Sequence, residues 1–196
     1  EGMDGFFKEM GSNGQFIAVS QYDELNVYRN GKCFELENGK VKRVCLYGNG
    51  EMKRVMMEFN GSTMTEYDSS GQKVYEGGFK EDRKGGFVRN GYGYLLNGKT
   101  RQYCIYQDDQ LIRVELRFNE NTMTEYDENE KRRYVGGFTG SIRDGFKRDG
   151  QGYCLDANEL VKQFCLFESG VMKGVIREFD GSTMTEYYGN GAPRYV

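Results

Sequence analysis

Apolar and charged residues alternate along short stretches of this chain, and clusters of glycine, asparagine and aspartate separate the stretches. Tyr103-Cys104-Ile105-Tyr106, Ile112-Arg113-Val114-Glu115-Leu116-Arg117-Phe118 and Met123-Thr124-Glu125-Tyr126 are rich in β-branched and aromatic side chains. A period of two places alternate residues on opposite sides of an extended backbone, so these stretches predict strands of a sheet with one wet face. Gly48-Asn49-Gly50, Asp108-Asp109-Gln110, Glu128-Asn129-Glu130 and Gly189-Asn190-Gly191 lie between them as turn signals. Asn-Gly pairs beginning at residues 30, 38, 49, 60, 90, 97 and 190 favour the positive-φ turns of β-hairpins. No helical period persists long enough to predict a helix.

The pattern repeats. Thr63-Met64-Thr65-Glu66-Tyr67 returns as residues 122–126 and 183–187, at intervals of 59 and 61 residues. Phe59, Phe118 and Phe179 keep that register, as do Cys45, Cys104 and Cys165. Tyr75-Glu76-Gly77-Gly78-Phe79 matches Tyr134-Val135-Gly136-Gly137-Phe138, and Gly86 to Tyr94 matches Gly145 to Tyr153. The two extra residues of the second interval fall between Tyr153 and Cys165, which marks that stretch as a turn. Each unit of about sixty residues accommodates three hairpins of about twenty residues. The organisation read from these landmarks is a cap or degenerate repeat over 1–27 and units over 28–74, 75–133 and 134–193. Residues 194–196 open a further unit just where another Gly-Gly-Phe is due, which predicts a fragment of a longer array.

Composition narrows the class. With 28 Gly but only 1 Pro, a collagen-like chain is excluded. Fifteen Tyr and 13 Phe argue for a folded chain with a thin aromatic core. A net charge of -3 gives no general attraction to nucleic acid or anionic lipid. No run of about eighteen apolar residues is present to span a membrane as a helix. Five cysteines, an odd number with no C-x-x-C spacing and no histidine beside them, read as reduced, buried thiols of a cytoplasmic protein.

Tyr-x-Gly-x-Phe, a basic spacer and Gly-x-x-x-x-Gly-x-Gly-x-Tyr together resemble the MORN repeat. Residues 75–87 carry the motif best. Residues 66–75 and 126–134 are similar to its Tyr-Asp-x-x-Gly-Lys variant, also found in antitoxin-like relatives. The resemblance covers most of residues 40–196, and it departs from the family in having no Trp. It implies an all-β fold, an elongated single-layer solenoid of stacked antiparallel hairpins. Physics agrees, because one twenty-residue hairpin cannot bury enough surface to fold alone.

Each chemical motif has a plainer reading. Gly93 to Thr100 matches the phosphate-loop string, but a strand rather than a helix follows it, so a hairpin turn is expected. Cys45, Cys104 and Cys165 stand among apolar neighbours and are expected to pack, not to bind metal. Asp127 to Glu130 lacks the ligand loop of a calcium site. Asn60-Gly61-Ser62 is a glycosylation sequon only in a secreted chain. No nucleophile-base spacing stands out, so no catalytic residue and no cofactor are expected.

The expected function is a non-catalytic protein-interaction or scaffolding module. Its predicted surface is a row of Tyr67, Tyr75, Arg89, Tyr94, Tyr126, Tyr134, Arg148, Tyr153 and Tyr187, since Tyr and Arg are enriched at interfaces. A protein or peptide ligand along the repeat face and self-association are the expected partners. What the resemblance adds is a cytoskeletal or membrane-associated assembly. Phospholipid binding is the alternative, weakened because Lys42, Arg43, Arg132 and Arg133 do not form the basic run that anionic lipid requires. Glycan binding is a further alternative, weakened by the absence of Trp.

Overall fold

The computed structural model describes residues 6–12, 14–22, 28–98, 100–142 and 144–195, and among them there are seventeen strands and no helix. The strands are β1 (Phe6–Met10), β2 (Phe16–Tyr22), β3 (Arg29–Glu37), β4 (Lys40–Gly48), β5 (Glu51–Asn60), β6 (Thr63–Tyr67) and β7 (Lys73–Glu81). There follow β8 (Phe87–Asn97), β9 (Thr100–Gln107), β10 (Gln110–Asn119), β11 (Thr122–Tyr126) and β12 (Arg132–Ser141). The last are β13 (Gly145–Leu155), β14 (Val161–Glu168), β15 (Val171–Asp180), β16 (Thr183–Tyr187) and β17 (Pro193–Tyr195). All belong to one antiparallel sheet, as the alternating pattern predicts. No helix among the described residues is long and apolar enough to cross a membrane.

The chain divides into two compact units, residues 1–93 and 94–196. In the first, β1 to β7 form a meander in which each strand pairs with its predecessor. In the second, β9 to β17 do the same. Two-residue turns with both φ angles positive join several strands, including Asn38-Gly39, Asn49-Gly50, Asp108-Asp109 and Ser169-Gly170. These twist the chain in the sense the paired strands require.

One expectation is corrected. The repeat holds five strands, not three hairpins. The Thr-Met-Thr-Glu-Tyr strand is β6, then β11, then β16. Five is odd, so within the second unit β16 runs opposite to β11.

The segment before Tyr28 keeps the hairpin of the later copies despite its divergent sequence. Gly11 N donates to Gln15 O at 2.9 Å and Gly14 N to Gly11 O at 2.9 Å. Asp68 N donates to Gln72 O at 2.9 Å and Gly71 N to Asp68 O at 3.1 Å, the same turn 57 residues on. The predicted boundaries at residues 1–5, 23–27 and 196 lie outside the described residues.

The core of the second unit is organised by one cross-strand row. Phe118, Met123, Gly136, Gly152, Cys165 and Val175 stand opposite one another from β10 to β15. Phe118, Met123 and Cys165 are buried. Two adjacent glycines in this row leave a trough, and the Tyr134 ring lies in it. A Cβ at Gly152 would stand 2.3 Å from Tyr134 Cε2, and one at Gly136 2.4 Å from Gly152 Cα. The buried Tyr134 hydroxyl donates to Gly137 O at 2.8 Å. The first unit repeats this with Tyr75 over Gly93 beside Gly77, and Tyr75 Oη donates to Gly78 O at 2.8 Å.

The earliest copy solves the same packing problem differently. The tyrosine position is Ala18, and the glycine pair is Ser20 and Cys33, which stand opposite each other. Both are fully buried, and Ser20 Oγ donates to Cys33 Sγ at 2.9 Å. Two small side chains fill the space that one ring fills elsewhere. None of the five cysteines is in a disulfide, and Cys33, Cys45, Cys104 and Cys165 are buried as expected, whereas Cys154 is only half-buried, which corrects the expectation for that thiol.

Gly152→Ala therefore drives a methyl into the Tyr134 ring and is expected to cost about 1–3 kcal/mol, the range for overpacking, read from urea unfolding. Tyr134→Ala with Gly136→Ser and Gly152→Cys copies the earliest solution. It is expected to unfold later in urea than Gly152→Cys alone.

Candidate interaction surface

The arginine and tyrosine positions singled out by sequence divide into three environments. Arg89 and Arg148 are half-buried and clamp carboxylates. Arg89 Nε and Nη2 donate to Glu66 at 2.9 and 2.7 Å, and Arg148 Nε and Nη2 to Glu125 at 3.0 and 2.6 Å. Arg29 clamps Glu9 in the same way. Each guanidinium also lies over a ring: Arg29 over Tyr47 at 5.1 Å, Arg89 over Tyr75 at 4.6 Å and Arg148 over Tyr134 at 4.6 Å. The two-pronged bonds and the ring contact fix the planar group. The hydrogen bonds to Glu125 raise the Arg148 pKa above its ordinary value.

Tyr75, Tyr134 and Tyr94 are buried, which corrects the expectation that they line an exposed row. Burial pushes the Tyr134 hydroxyl up to about 12. Tyr94 packs on Phe118 at 5.7 Å and stacks on Phe146 at 5.9 Å. These three are core, and Arg89 and Arg148 brace two of them.

Tyr67, Tyr126 and Tyr187 are half-buried at the ends of equivalent strands. Tyr67 Oη donates to Glu58 at 2.6 Å and Tyr187 Oη to Glu178 at 2.8 Å. That bond to Glu58, more than burial, pushes Tyr67 up to about 12. Arg117 lies over Tyr126 at 5.7 Å. Because β11 and β16 run oppositely, Tyr126 and Tyr187 end at opposite sides of the meander. They form no single row.

Tyr153 remains on the surface, 42% exposed. Its ring lies 4.7 Å from that of Phe164, which stands opposite it on β14. Leu166, two residues on, is also 42% exposed and faces Gly174, which carries no side chain to cover it. Sequence reasoning missed Phe164 and Leu166. Leu166 sits in the continuous apolar run Phe164 to Phe167, which does not reveal the open side, and its pairing with Gly174 leaves it uncovered.

The remaining candidates are turns. Asp68, Asp82, Asp127 and Asp156 each use one carboxylate oxygen to accept two backbone amides, two and four residues ahead, at 2.7–3.0 Å. The other Asp127 oxygen meets Arg133 Nε at 3.1 Å. Among the described residues no group of three Cys, Asp or Glu side chains is placed to hold a metal ion. The phosphate-loop string runs from β8 into β9, strand to strand, and Lys99 lies outside the described residues. The inserted stretch after Tyr153 is a turn, with Asp156 N donating to Leu160 O at 2.9 Å.

No family model matches the chain. No curated protein matches it. Among solved structures, an alternansucrase in complex with isomaltononaose is similar at 15% identity and a TM-score of 0.21. That match covers 99% of this chain and 16% of the other. A TM-score this low carries no argument about fold or activity.

Hydrogen bonds hold the turn carboxyls of Asp68, Asp82, Asp127 and Asp156 below the usual carboxylate range, the largest cause being the Ser70 hydroxyl for Asp68 and backbone amides for the other three. A carboxyl whose pKa falls on folding contributes stability above its unfolded value near 4 and loses it as pH drops through the folded value. The urea midpoint is therefore expected to hold from pH 7 to about 5 and fall below pH 4. Replacing the four aspartates with asparagine is expected to flatten that fall.

Proposed function

We propose that the chain is a non-catalytic protein-interaction module. One observation carries this reading: a partly exposed apolar patch formed by Tyr153, Phe164 and Leu166 on neighbouring strands of the second unit. Val171 and Met172 on β15 are exposed as well. Contiguous apolar surface loses free energy to water until another surface covers it, and such patches mark contact sites. Tyrosine suits this role because a large rigid ring covers area at small entropic cost. The strand meander holds its Cα positions fixed, so a partner meets a prepared surface.

The MORN resemblance supports the same reading, since it implies arrays that organise assemblies. A cytoskeletal or membrane-associated setting belongs to that resemblance alone. Lipid binding gains no specific support, because the cations nearest the core are paired. Arg89, Arg148 and Arg29 clamp glutamates, and Lys42 and Lys73 meet Glu37 and Glu76 at 2.7 Å.

The test is retention of partners from lysate on the immobilised chain, compared with Tyr153→Ser and Leu166→Ser. Both variants are expected to fold, with unchanged circular dichroism, and each to weaken retention about tenfold, as for central residues of an interface. Undiminished retention by both, or tight binding only to anionic vesicles, would overturn the reading.

A further inference from the structure

Cys33 on β3 and Cys45 on β4 stand directly opposite each other. Among the described residues no other two cysteines do so. Cys165 faces Gly152 and Val175, and Cys154 faces Tyr134 and Gln163. Cys104 faces Val114, and β8 on its other side holds no cysteine. Residues opposed across two strands leave the same face of the sheet, and both thiols of this pair are fully buried. The Cα atoms of such a pair lie about 4.5–5.5 Å apart, inside the span of about 4.4–6.8 Å that a disulfide bridges.

Packing alone does not call for two thiols here. Cys45 keeps the register of Cys104 and Cys165. Cys33 is the residue that differs, since it stands where Gly152 faces Cys165 in the last copy. Serine, already present at position 20, would fill that space as well. The surroundings also distinguish the two thiols. Burial raises both pKa values, that of Cys45 to about 11. At Cys33 the hydrogen bond from Ser20 and the charge of Arg29 act against burial. Cys33 is therefore the better nucleophile of the two, and Cys45 the thiol that resolves it.

We propose that Cys33 and Cys45 form a reversible cross-strand dithiol–disulfide couple, oxidised by a low-molecular-weight disulfide of the glutathione class. In the first step the Cys33 thiolate attacks one sulfur of the small disulfide, forms a mixed disulfide and releases one small thiolate. In the second the Cys45 thiolate attacks the Cys33 sulfur, closes the intrachain bond and releases the other. Two electrons pass from the pair to the small disulfide, and the two thiol protons go to the two released thiolates. Neither cysteine reaches solvent, so exchange passes through opening of the β3–β4 hairpin, which sets the rate and not the equilibrium. The closed bond ties strands whose pairing is irregular on both sides of Cys45. The register shifts at Glu35/Leu36 against β3 and at Val44/Cys45 against β5. A covalent link holds the hairpin in register where the ladder is interrupted. The couple involves neither Tyr153 nor Leu166 and does not depend on the interaction reading.

The test follows the disulfide in the full chain. Folded reduced chain, and reduced chain refolded from urea, are each held in one glutathione redox buffer until their composition stops changing. Free thiols are then blocked and the chain is cut with trypsin. Cleavage after Lys32, Lys40, Arg43 and Lys53 places the two cysteines in peptides 33–40 and 44–53. From both starts these peptides are expected joined, two hydrogen atoms lighter than their sum, as the main form of Cys33. Dithiothreitol is expected to separate them. Cys33→Ser is expected to hold no intrachain disulfide in the same buffer. Should that variant fail to fold, the peptide map of the parent decides. The proposal is overturned if, from either start, Cys33 stays mainly free or capped by glutathione. It is equally overturned if Cys33 is mainly joined to another cysteine or another chain, or if folded Cys33→Ser forms an intrachain disulfide to the same extent as the parent.

Discussion

A tyrosine ring lying on a pair of glycines is the contact on which the rest of the structure depends. A single-layer sheet has little to bury, since each strand has neighbours at its sides and nothing stacked above it. The Gly136-Gly152 and Gly77-Gly93 pairs remove two side chains from adjacent strands and so create depth where the sheet has none. The ring fills that depth, its hydroxyl satisfies a carbonyl at the bottom, and an arginine closes the top. That arginine is in turn held by a glutamate from a strand next to the tyrosine's own. Five positions on three strands, three side chains and two glycines, thus form one interlocked group, and it recurs with the repeat.

Much of the repeat was legible because its signals are local. Turn residues, alternation and landmark spacing are properties of short segments, and the strands fall where those signals place them. The buried thiols were legible for a related reason: Cys45, Cys104 and Cys165 hold one register in strands of the same pattern. The strand count was not legible. A five-residue strand such as β11 looks, in sequence, like the arm of a longer hairpin.

The division of the tyrosines was illegible for a physical reason. Tyr94 and Tyr153 occupy matching motif positions, yet one is core and the other is surface. β9 begins at Thr100, three residues after β8 ends at Asn97, and Tyr94 closes on Phe118 and Phe146. A longer turn over 156–160 follows the second, and Tyr153 lies beside Phe164 instead. Local sequence identifies the ring but not the partner that arrives from a distant strand. Arg89 and Arg148 were likewise read as surface residues because their glutamates lie 23 residues upstream.

The odd number of strands in each copy has a consequence for how such a sheet is read from outside. In the second unit the turn before β11 and the turn before β16 carry related sequences but leave the meander at opposite ends of the strands. A binding protein that travels along one margin of the sheet meets a given turn only in every other copy. Its recognition period is about 120 residues, twice the period of the sequence. Neighbouring copies therefore present their corresponding turns on different margins. A duplication that adds a single copy places its turns on the far margin.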